Sequence, residues 1–132
     1  MGFCGHRGFA DRGAATLVYR DIYGTIPKIR ISRSRHPKSA DHVGKPQAAG
    51  QPKEVTIARL GAPDNRRESL AGIDTLSGYD RDEYPPAMFA EGGAGASVEY
   101  VPSADNRGSG SCLGHQCRGL PDGTKVLIEI VD

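Results

Sequence analysis

The first part of the chain alternates apolar and polar residues in a way that is typical of β-strands. Residues 16–22 (TLVYRDI) and 27–32 (PKIRIS) are β-branched or alternating runs, and Tyr23-Gly24-Thr25 separates them. Two such runs joined by a short turn containing glycine predict a hairpin. In the second run, Ile29 and Ile31 are two positions apart, so we expect both to face inward.

Three further runs predict strands in the rest of the chain. Residues 53–60 (KEVTIARL) place Val55 and Ile57 at a period of two. Residues 97–101 form a short strand pattern, and residues 124–131 follow a Pro-Asp-Gly turn and are strongly β-branched. With 18 Gly and 9 Pro and no Trp, the chain has many turns and a modest core. These features predict an α+β fold, a small antiparallel sheet with a few short helices against it.

Helices are predicted in segments that carry start and stop signals. Between residues 37 and 49 the pattern allows a short helix that Gly44 and Pro46 end. Asp64 is a favoured N-cap residue, and it begins a helix that we expect Gly72 to stop.

Length and charge limit the classes of protein that fit. The 132 residues suit one domain. Because 17 Lys and Arg face 16 Asp and Glu, net charge favours no partner. The distribution is uneven, since residues 28–38 (KIRISRSRHPK) hold no acid and residues 80–105 are rich in acids. A basic run is commonly a solvated face, but it also suits nucleic-acid phosphates.

The lengths of the apolar runs bear on membrane insertion and on export. None approaches the roughly 20 residues that cross a bilayer. The N-terminus is polar and glycine-rich without the apolar centre of a secretory signal, so either the chain stays inside the cell or a leader or larger upstream region is missing.

The acid-rich segment has the layout of a metal-dependent hydrolytic site. A strand ends near Asp82, a Pro-Pro break and a glycine loop at 92–95 follow, and then come a second strand and a helix at 109–118. A helix that folds back over a hairpin can bring strand-end carboxylates to its own first turn. Carboxylates can take a proton from water and oxygen ligands hold Mg²⁺, while a histidine suits Mn²⁺. Asn106 and His115 are nine positions apart, so one ion reaches both only if Asn106 precedes the helix, as Gly108 and Gly110 would allow.

The same segment carries a family resemblance. Residues 36–132, and most specifically Asp80-Arg81-Asp82-Glu83, Glu91-Gly92-Gly93 and residues 103–108, resemble the NucA/NucB-type bacterial deoxyribonucleases of the ββα-metal superfamily. The resemblance implies a nuclease domain at 36–132, preceded by a tail and hairpin at 1–35. It also implies metal-dependent, non-specific endonuclease activity on DNA, with 5′-phosphate products.

Individual roles follow from that resemblance. Asp82 matches the aspartate that serves as general base, Asn106 matches the metal-binding asparagine, and His115 stands where the family usually has a second asparagine. Glu91 either takes part in catalysis or holds the glycine loop or a nearby arginine, and Arg81 is either a phosphate clamp or a structural ion-pair partner. His42 matches a histidine whose role is equally structural or functional.

The resulting candidates fall into three groups. The catalytic candidates are Asp82, Glu91, Arg81 and Glu83, the metal ligands are Asn106 and His115 for Mg²⁺ or Mn²⁺, and the nucleic-acid contacts are Lys28, Arg30, Arg33, Arg35, Lys38 and Arg107. We expect a monomer that acts on DNA, with RNA as an alternative substrate, without a membrane partner, and secreted or delivered outside the producing cell. Two alternatives stay open: a toxin module of a larger protein with an immunity partner, and a nucleic-acid-binding module without catalysis.

Overall fold

The computed structural model describes residues 26–132, which form five strands and three α-helices. In chain order these are β1 (Lys28–Ser32), α1 (Pro37–Ala48), β2 (Glu54–Thr56), α2 (Ala62–Ser69), β3 (Tyr79–Tyr84), β4 (Ser97–Pro102), α3 (Ser103–Cys117) and β5 (Lys125–Val131), with a 3-10 turn at Arg59–Gly61 before α2. The predicted α+β class is confirmed. The strand predicted at residues 16–22, and with it the first half of the predicted hairpin, lies outside the described residues.

Two small sheets organise these elements. The first has the strand order β1-β5-β2, and the second is the β3–β4 hairpin. The β2–β5 and β3–β4 pairs are antiparallel, as expected, whereas β1 pairs with β5 in parallel. This parallel pair was not predicted, because β1 and β5 lie at opposite ends of the described chain and no local pattern records their pairing.

The core is built mainly from inward-facing residues of the first sheet. Ile29 and Ile31, which were expected to face inward, are buried, and so are Val55 and Ile57, which alternate along the next predicted strand. The strand predicted at 53–60 is shorter than expected: β2 ends at Thr56, and Ile57 continues it only as an isolated bridge to Phe89. Each fully buried aliphatic side chain contributes about 1.5–3 kcal/mol, so these positions stabilise the sheet on which the helices rest.

Helix α1 continues beyond its predicted end. It runs to Ala48, through both Gly44 and Pro46, which were expected to stop it. Local propensity opposes this, by about 1 kcal/mol for glycine and about 3 kcal/mol for proline. Packing provides the compensation, because Ala40, Val43 and Pro46 are all buried and a Cβ at Gly44 would lie 3.4 Å from Ile130 Cδ1.

Helix α2 begins and ends earlier than predicted. It starts at Ala62 and ends at Ser69, so Asp64 lies inside the first turn and Gly72 lies beyond the helix. No side chain caps this helix, and Asp64 instead forms an ion pair with Arg67. The N-cap prediction for Asp64 is therefore wrong, because a proline at the second helical position starts the helix two residues upstream of it.

Helix α3 differs most from its prediction. It begins at Ser103, immediately after β4, instead of at residue 109. Gly108 and Gly110, which were expected to separate Asn106 from the helix, are helical. At Gly108 the reason is packing, since a Cβ there would lie 2.7 Å from His36 Cε1. Among residues 26–132, no helix has the length and apolar character needed to cross a membrane.

Candidate active site

The candidate site lies where the β3–β4 hairpin continues directly into α3. Side chains alternate along β3, so Asp80, Asp82 and Tyr84 share one face of the hairpin. Tyr84 is almost fully buried, which identifies this face as the one that packs against the rest of the protein. Across the hairpin, Asp82 pairs with Glu99 and Tyr84 pairs with Ser97. Asp82 therefore lies at the edge of a packed face, between the core and water.

One carboxylate oxygen of Asp82 is held by a buried histidine. His42 of α1 has no exposed surface, and its Nδ1 lies 2.7 Å from Asp82 Oδ2. The other ring nitrogen, Nε2, lies 3.0 Å from Ser97 Oγ on the same face of the hairpin. The side chain of Asp82 keeps 22% of its surface exposed. The three residues thus link α1 to both strands of the hairpin and leave part of the carboxylate open to solvent.

A second cluster fixes α3 against the hairpin through Asp80. Its carboxylate accepts hydrogen bonds from Ser103 Oγ at 2.9 Å and Asn106 Nδ2 at 3.1 Å, and it binds Arg107 through two nitrogens at 3.0 and 3.1 Å. The hydrogen bonds from Arg107 and Asn106 lower the pKa of Asp80 to about 2. Because Asn106 uses its amide nitrogen here, its carbonyl oxygen is left to serve as a ligand.

The hairpin also places two carboxylates directly opposite each other. Asp82 and Glu99 are cross-strand partners, and like charges in this position are destabilising. A nearby cation, Lys45 of α1, has its Nζ 3.4 Å from Glu99 Oε2. A carboxylate suits a hard divalent cation, and because Mg²⁺ commonly takes one or two carboxylates and keeps several waters, Glu99 can serve as a ligand while Asp82 acts on water. The residues at this site therefore fit the divalent ion that the sequence predicts.

The predicted ligand pair Asn106 and His115 is not brought together. Both residues lie on the continuous helix α3. Nine helical positions correspond to a rotation of about 180° between two side chains, so one ion cannot contact both. The condition for a shared ion, that Asn106 precede the helix, is not met. Over residues 26–132 the structure contains no group of three or more His, Cys, Asp or Glu that could hold a metal ion, so amide oxygens and water have to complete any coordination shell.

The other three catalytic candidates lie apart from Asp82. Glu91 accepts hydrogen bonds from Thr56 N at 2.8 Å and Thr56 Oγ1 at 3.0 Å, which join the glycine loop to β2. Arg81 donates to Ile73 O at 2.8 Å, and Glu83 accepts a hydrogen bond from Ser69 Oγ. By strand alternation, Arg81 and Glu83 face the side of the hairpin opposite Asp82. These contacts support a structural role for each residue, and their catalytic roles stay predictions.

Three of the six predicted nucleic-acid contacts form ion pairs with acidic residues of the described chain. Arg30 pairs with Glu129 at 3.0 Å, Arg33 with Asp41 at 2.8 Å, and Arg107 with Asp80. The pairs of Arg30 and Arg33 join largely exposed side chains and contribute only about 0–1 kcal/mol, so a phosphate can replace the acid there at little cost.

Among the remaining basic candidates, Lys38 is joined to α3 by a hydrogen bond. Lys28 and Lys38 are exposed, as is Arg35. Lys38 lies in the first turn of α1, where its backbone amide donates to Asp105 Oδ2 at 3.0 Å. Asp105 immediately precedes Asn106 on α3, so this contact brings the basic start of α1 to the first turn of α3.

Sequence reasoning did not identify Ser97, Glu99 and Lys45. Two signals were available: Ser97 and Glu99 lie at alternate positions of a predicted strand, and Lys45 follows His42 by three positions on a helix, which places both on one face. Neither signal says which strand a given helix face will contact. The contacts join positions 40 or more residues apart, and only the fold provides them.

Comparison with known proteins identifies the family. Residues 32–129 match the family described as deoxyribonuclease NucA/NucB. A DNA-entry nuclease of Bacillus subtilis (strain 168) is 50% identical to this chain over 96 residues, which cover 73% of this chain. The same match covers 65% of the relative, so the chain corresponds to somewhat less than two thirds of that protein. The resemblance inferred from the sequence is confirmed.

Proposed function

Because the chain belongs to the NucA/NucB family of deoxyribonucleases, we propose that it is a metal-dependent endonuclease that hydrolyses DNA phosphodiester bonds, with Asp82 as the general base. The geometry of Asp82 is the observation that supports this proposal. Its Oδ2 is anchored to a fully buried histidine at 2.7 Å, and the carboxylate still has 22% of its side-chain surface exposed. A base needs both properties, a fixed orientation and access to the attacking water.

The acidic residues around Asp82 have distinct tasks in this proposal. Asp82 accepts the proton of the water that attacks phosphorus. Glu99 and the carbonyl oxygen of Asn106 are the groups that would hold the divalent ion, which, when bound, stabilises charge on the phosphate and the leaving oxygen. Asp80 accepts hydrogen bonds from Ser103, Asn106 and Arg107, and so it fixes the first turn of α3 against β3.

Substrate binding is assigned to the basic residues at the start of α1 and on β1. Lys28, Arg30, Arg33, Arg35 and Lys38 would contact backbone phosphates, together with Arg107 of α3. Phosphate contacts position DNA without reading its sequence, which fits non-specific cleavage. Each phosphate neutralised adds about 0.9 to the negative slope of log affinity against log salt concentration, so binding should weaken steeply with salt.

The proposal is tested by the nicking of supercoiled plasmid with Mg²⁺ or Mn²⁺, with and without a chelator. We expect cleavage that the chelator abolishes. Asp82→Asn should lower the rate by about 10²- to 10⁴-fold, the usual contribution of a general base. Asp64→Asn is the matched control, because Asp64 is an exposed aspartate of α2 and should leave the rate unchanged. Wild-type turnover by a folded Asp82→Asn protein would refute the assignment of the base.

A further inference from the structure

Among the described residues, the most completely enclosed ionisable group at the site has no task in the mechanism above. His42 has 0% of its surface exposed, yet both of its ring nitrogens have polar partners. It lies on the face of α1 that also buries Ser39 and Pro46. An apolar residue could fill the same space without two polar partners, so a buried imidazole here indicates a role beyond packing.

We propose that His42 is a positioning residue that holds Asp82 in its reactive orientation, and that Ser97 supports the His42 ring by bonding to its second nitrogen, Nε2. This inference rests on the proposed function of Asp82. It assigns His42 and Ser97 to the hydrolytic site although neither contacts the substrate.

The enclosure of His42 excludes it as the base itself. A general base must come within hydrogen-bond distance of the water that it deprotonates. His42 offers no surface to a water or a substrate, and Nδ1 and Nε2 are occupied by Asp82 and Ser97. Asp82 is the member of the trio that combines a carboxylate with solvent exposure, so the proton transfer belongs to Asp82.

The tautomer follows from the two contacts. The Asp82 carboxylate can only accept, so Nδ1 carries the proton and donates to Oδ2. Nε2 of the neutral ring then accepts a hydrogen bond from the Ser97 hydroxyl. The opposite tautomer would direct the Nδ1 lone pair at a carboxylate. The Ser97 hydroxyl can donate or accept, so Asp82 sets the tautomer, and Ser97 provides the hydrogen-bond partner that Nε2 then needs.

Repulsion from Glu99 makes a group that holds Asp82 in place necessary. The Glu99 carboxylate lies directly across the hairpin from Asp82, and like charges in this position repel. Without the hydrogen bond from Nδ1, the Asp82 side chain is free to rotate away from Glu99. A displacement of about 1 Å in a catalytic group can cost about 10²-fold in rate. Loss of His42 should therefore lower kcat more than it raises KM.

The same residue types in the order Ser, His and Asp also form the nucleophilic triad of serine hydrolases. In this protein the histidine is fully enclosed, so it cannot pass a proton to a leaving group, as that triad requires. We therefore assign Ser97 as a hydrogen-bond donor to His42, and a nucleophilic Ser97 becomes an outcome that the experiment can detect.

The test compares two replacements of His42. His42→Leu fills the space without a donor, whereas the amide of His42→Asn can place an N–H near the position of Nδ1. We expect kcat for plasmid cleavage to fall about 10²-fold in His42→Leu, with KM within about threefold of wild type, and to be partly restored in His42→Asn. His36→Leu is the matched control, because His36 lies just before α1 and forms no hydrogen bond with Asp82, and it should retain the wild-type kcat.

A double-mutant cycle separates positioning from a general folding defect. If His42 acts through Asp82, adding His42→Leu to Asp82→Asn should cost no more than about twofold beyond Asp82→Asn alone. A full multiplicative loss in that background, or equal kcat in His42→Leu and wild type, would overturn the proposal. Should His42→Leu fail to fold, the His42→Asn protein and its cycle with Asp82→Asn give the same decision.

Ser97→Ala completes the design. We expect a kcat loss smaller than that of His42→Leu, because the Nδ1 contact can still form. A loss as large as that of Asp82→Asn, together with labelling of the wild-type protein by a fluorophosphonate, would identify Ser97 as a nucleophile and overturn our assignment. The proposed function fails separately: full activity in Asp82→Asn, or cleavage that resists a chelator, would refute it whatever His42 does.

Discussion

Replacing Asp105 tests how the active-site helix is attached to the protein. Helix α1 begins at Pro37, and its N-cap residue, His36, makes no capping hydrogen bond with its side chain. The carboxylate of Asp105, from the first turn of α3, takes that place. It accepts hydrogen bonds from Lys38 N at 3.0 Å, Ser39 N at 2.9 Å and Ser39 Oγ at 2.6 Å. One side chain therefore caps α1 and docks α3.

The size of the effect follows from these contacts. Replacing a capping residue by alanine costs about 0.5–2 kcal/mol, and the interaction of an anion with a helix N-terminus adds about 0.3–1 kcal/mol. The Ser39 hydroxyl, which is buried, also loses its acceptor. We expect Asp105→Ala to lower the free energy of unfolding by about 2–3 kcal/mol, since an unsatisfied buried polar group costs about 1–3 kcal/mol and the three contributions overlap.

The pH dependence gives a second readout. Burial alone would raise the pKa of Asp105, but hydrogen bonds from Ser39 and from the Lys38 and Ser39 amides outweigh it, and the pKa lies below its ordinary value. A carboxyl group whose pKa is lowered by folding stabilises the protein above its unfolded-state pKa, and this contribution disappears as pH falls through the folded-state pKa. The difference in stability between wild type and Asp105→Asn should therefore be greatest near neutral pH and shrink below about pH 4.

Urea unfolding, followed by circular dichroism at neutral and acidic pH, measures both effects. Asp64→Ala is the control, because Asp64 lies in the first turn of α2, is 73% exposed and pairs with Arg67 on the same exposed helix. We expect it to cost less than about 0.5 kcal/mol. Equal losses in the two variants, or a difference between wild type and Asp105→Asn that grows toward acidic pH, would refute the capping role of Asp105.

The sequence predicted those parts of the fold that local periodicity determines. Ile29 and Ile31 were expected to face inward and both are buried, as are Val55 and Ile57, which stand at a period of two in the next predicted strand. Alternation at a period of two records the two faces of a strand directly, so such positions can be identified without knowledge of the partner strand. The fold class follows from the same pattern together with the spacing of the turns.

The helix boundaries were mispredicted where packing outweighs propensity. Gly108 indicated a break before the helix, since glycine disfavours helix interiors by about 1 kcal/mol. In the structure it is the residue that lets the His36 ring approach α3. The same error separated Asn106 from the helix and so suggested a shared ion with His115. Propensity is a local quantity, whereas the contact between His36 and Gly108 joins positions 72 residues apart in the sequence.

The candidate site was predictable residue by residue only where a family motif covers it. Asp82 was identified from its place in Asp80-Arg81-Asp82-Glu83, and its contact with His42 supports that choice. The role of Asp80 was not predicted, because the sequence alone does not distinguish a structural aspartate two positions from Asp82 from a second catalytic acid. Its bonds to Arg107 and Asn106 reveal a structural role that depends on the α3 start.

Three further substitutions test the site and the loop beside it. Asn106→Ala should raise the half-saturating concentration of Mg²⁺ or Mn²⁺ for cleavage, because it removes an oxygen ligand. His115 lies on the opposite face of α3, so His115→Asn should leave that concentration and the ranking of the two metals unchanged. A shift in the ranking would return His115 to the metal site. In Gly92→Ala the new Cβ would lie 2.6 Å from Pro86 O. This oxygen belongs to the backbone and cannot rotate away, so we expect a loss of at least about 1–3 kcal/mol in urea unfolding. Gly114→Ala is the control, since Gly114 is an exposed helical position where a Cβ meets nothing within 4 Å, and the higher helix propensity of alanine should stabilise the protein by about 1 kcal/mol. If Gly92→Ala is as stable as Gly114→Ala, the close approach of the loop backbone at Gly92 does not constrain this position.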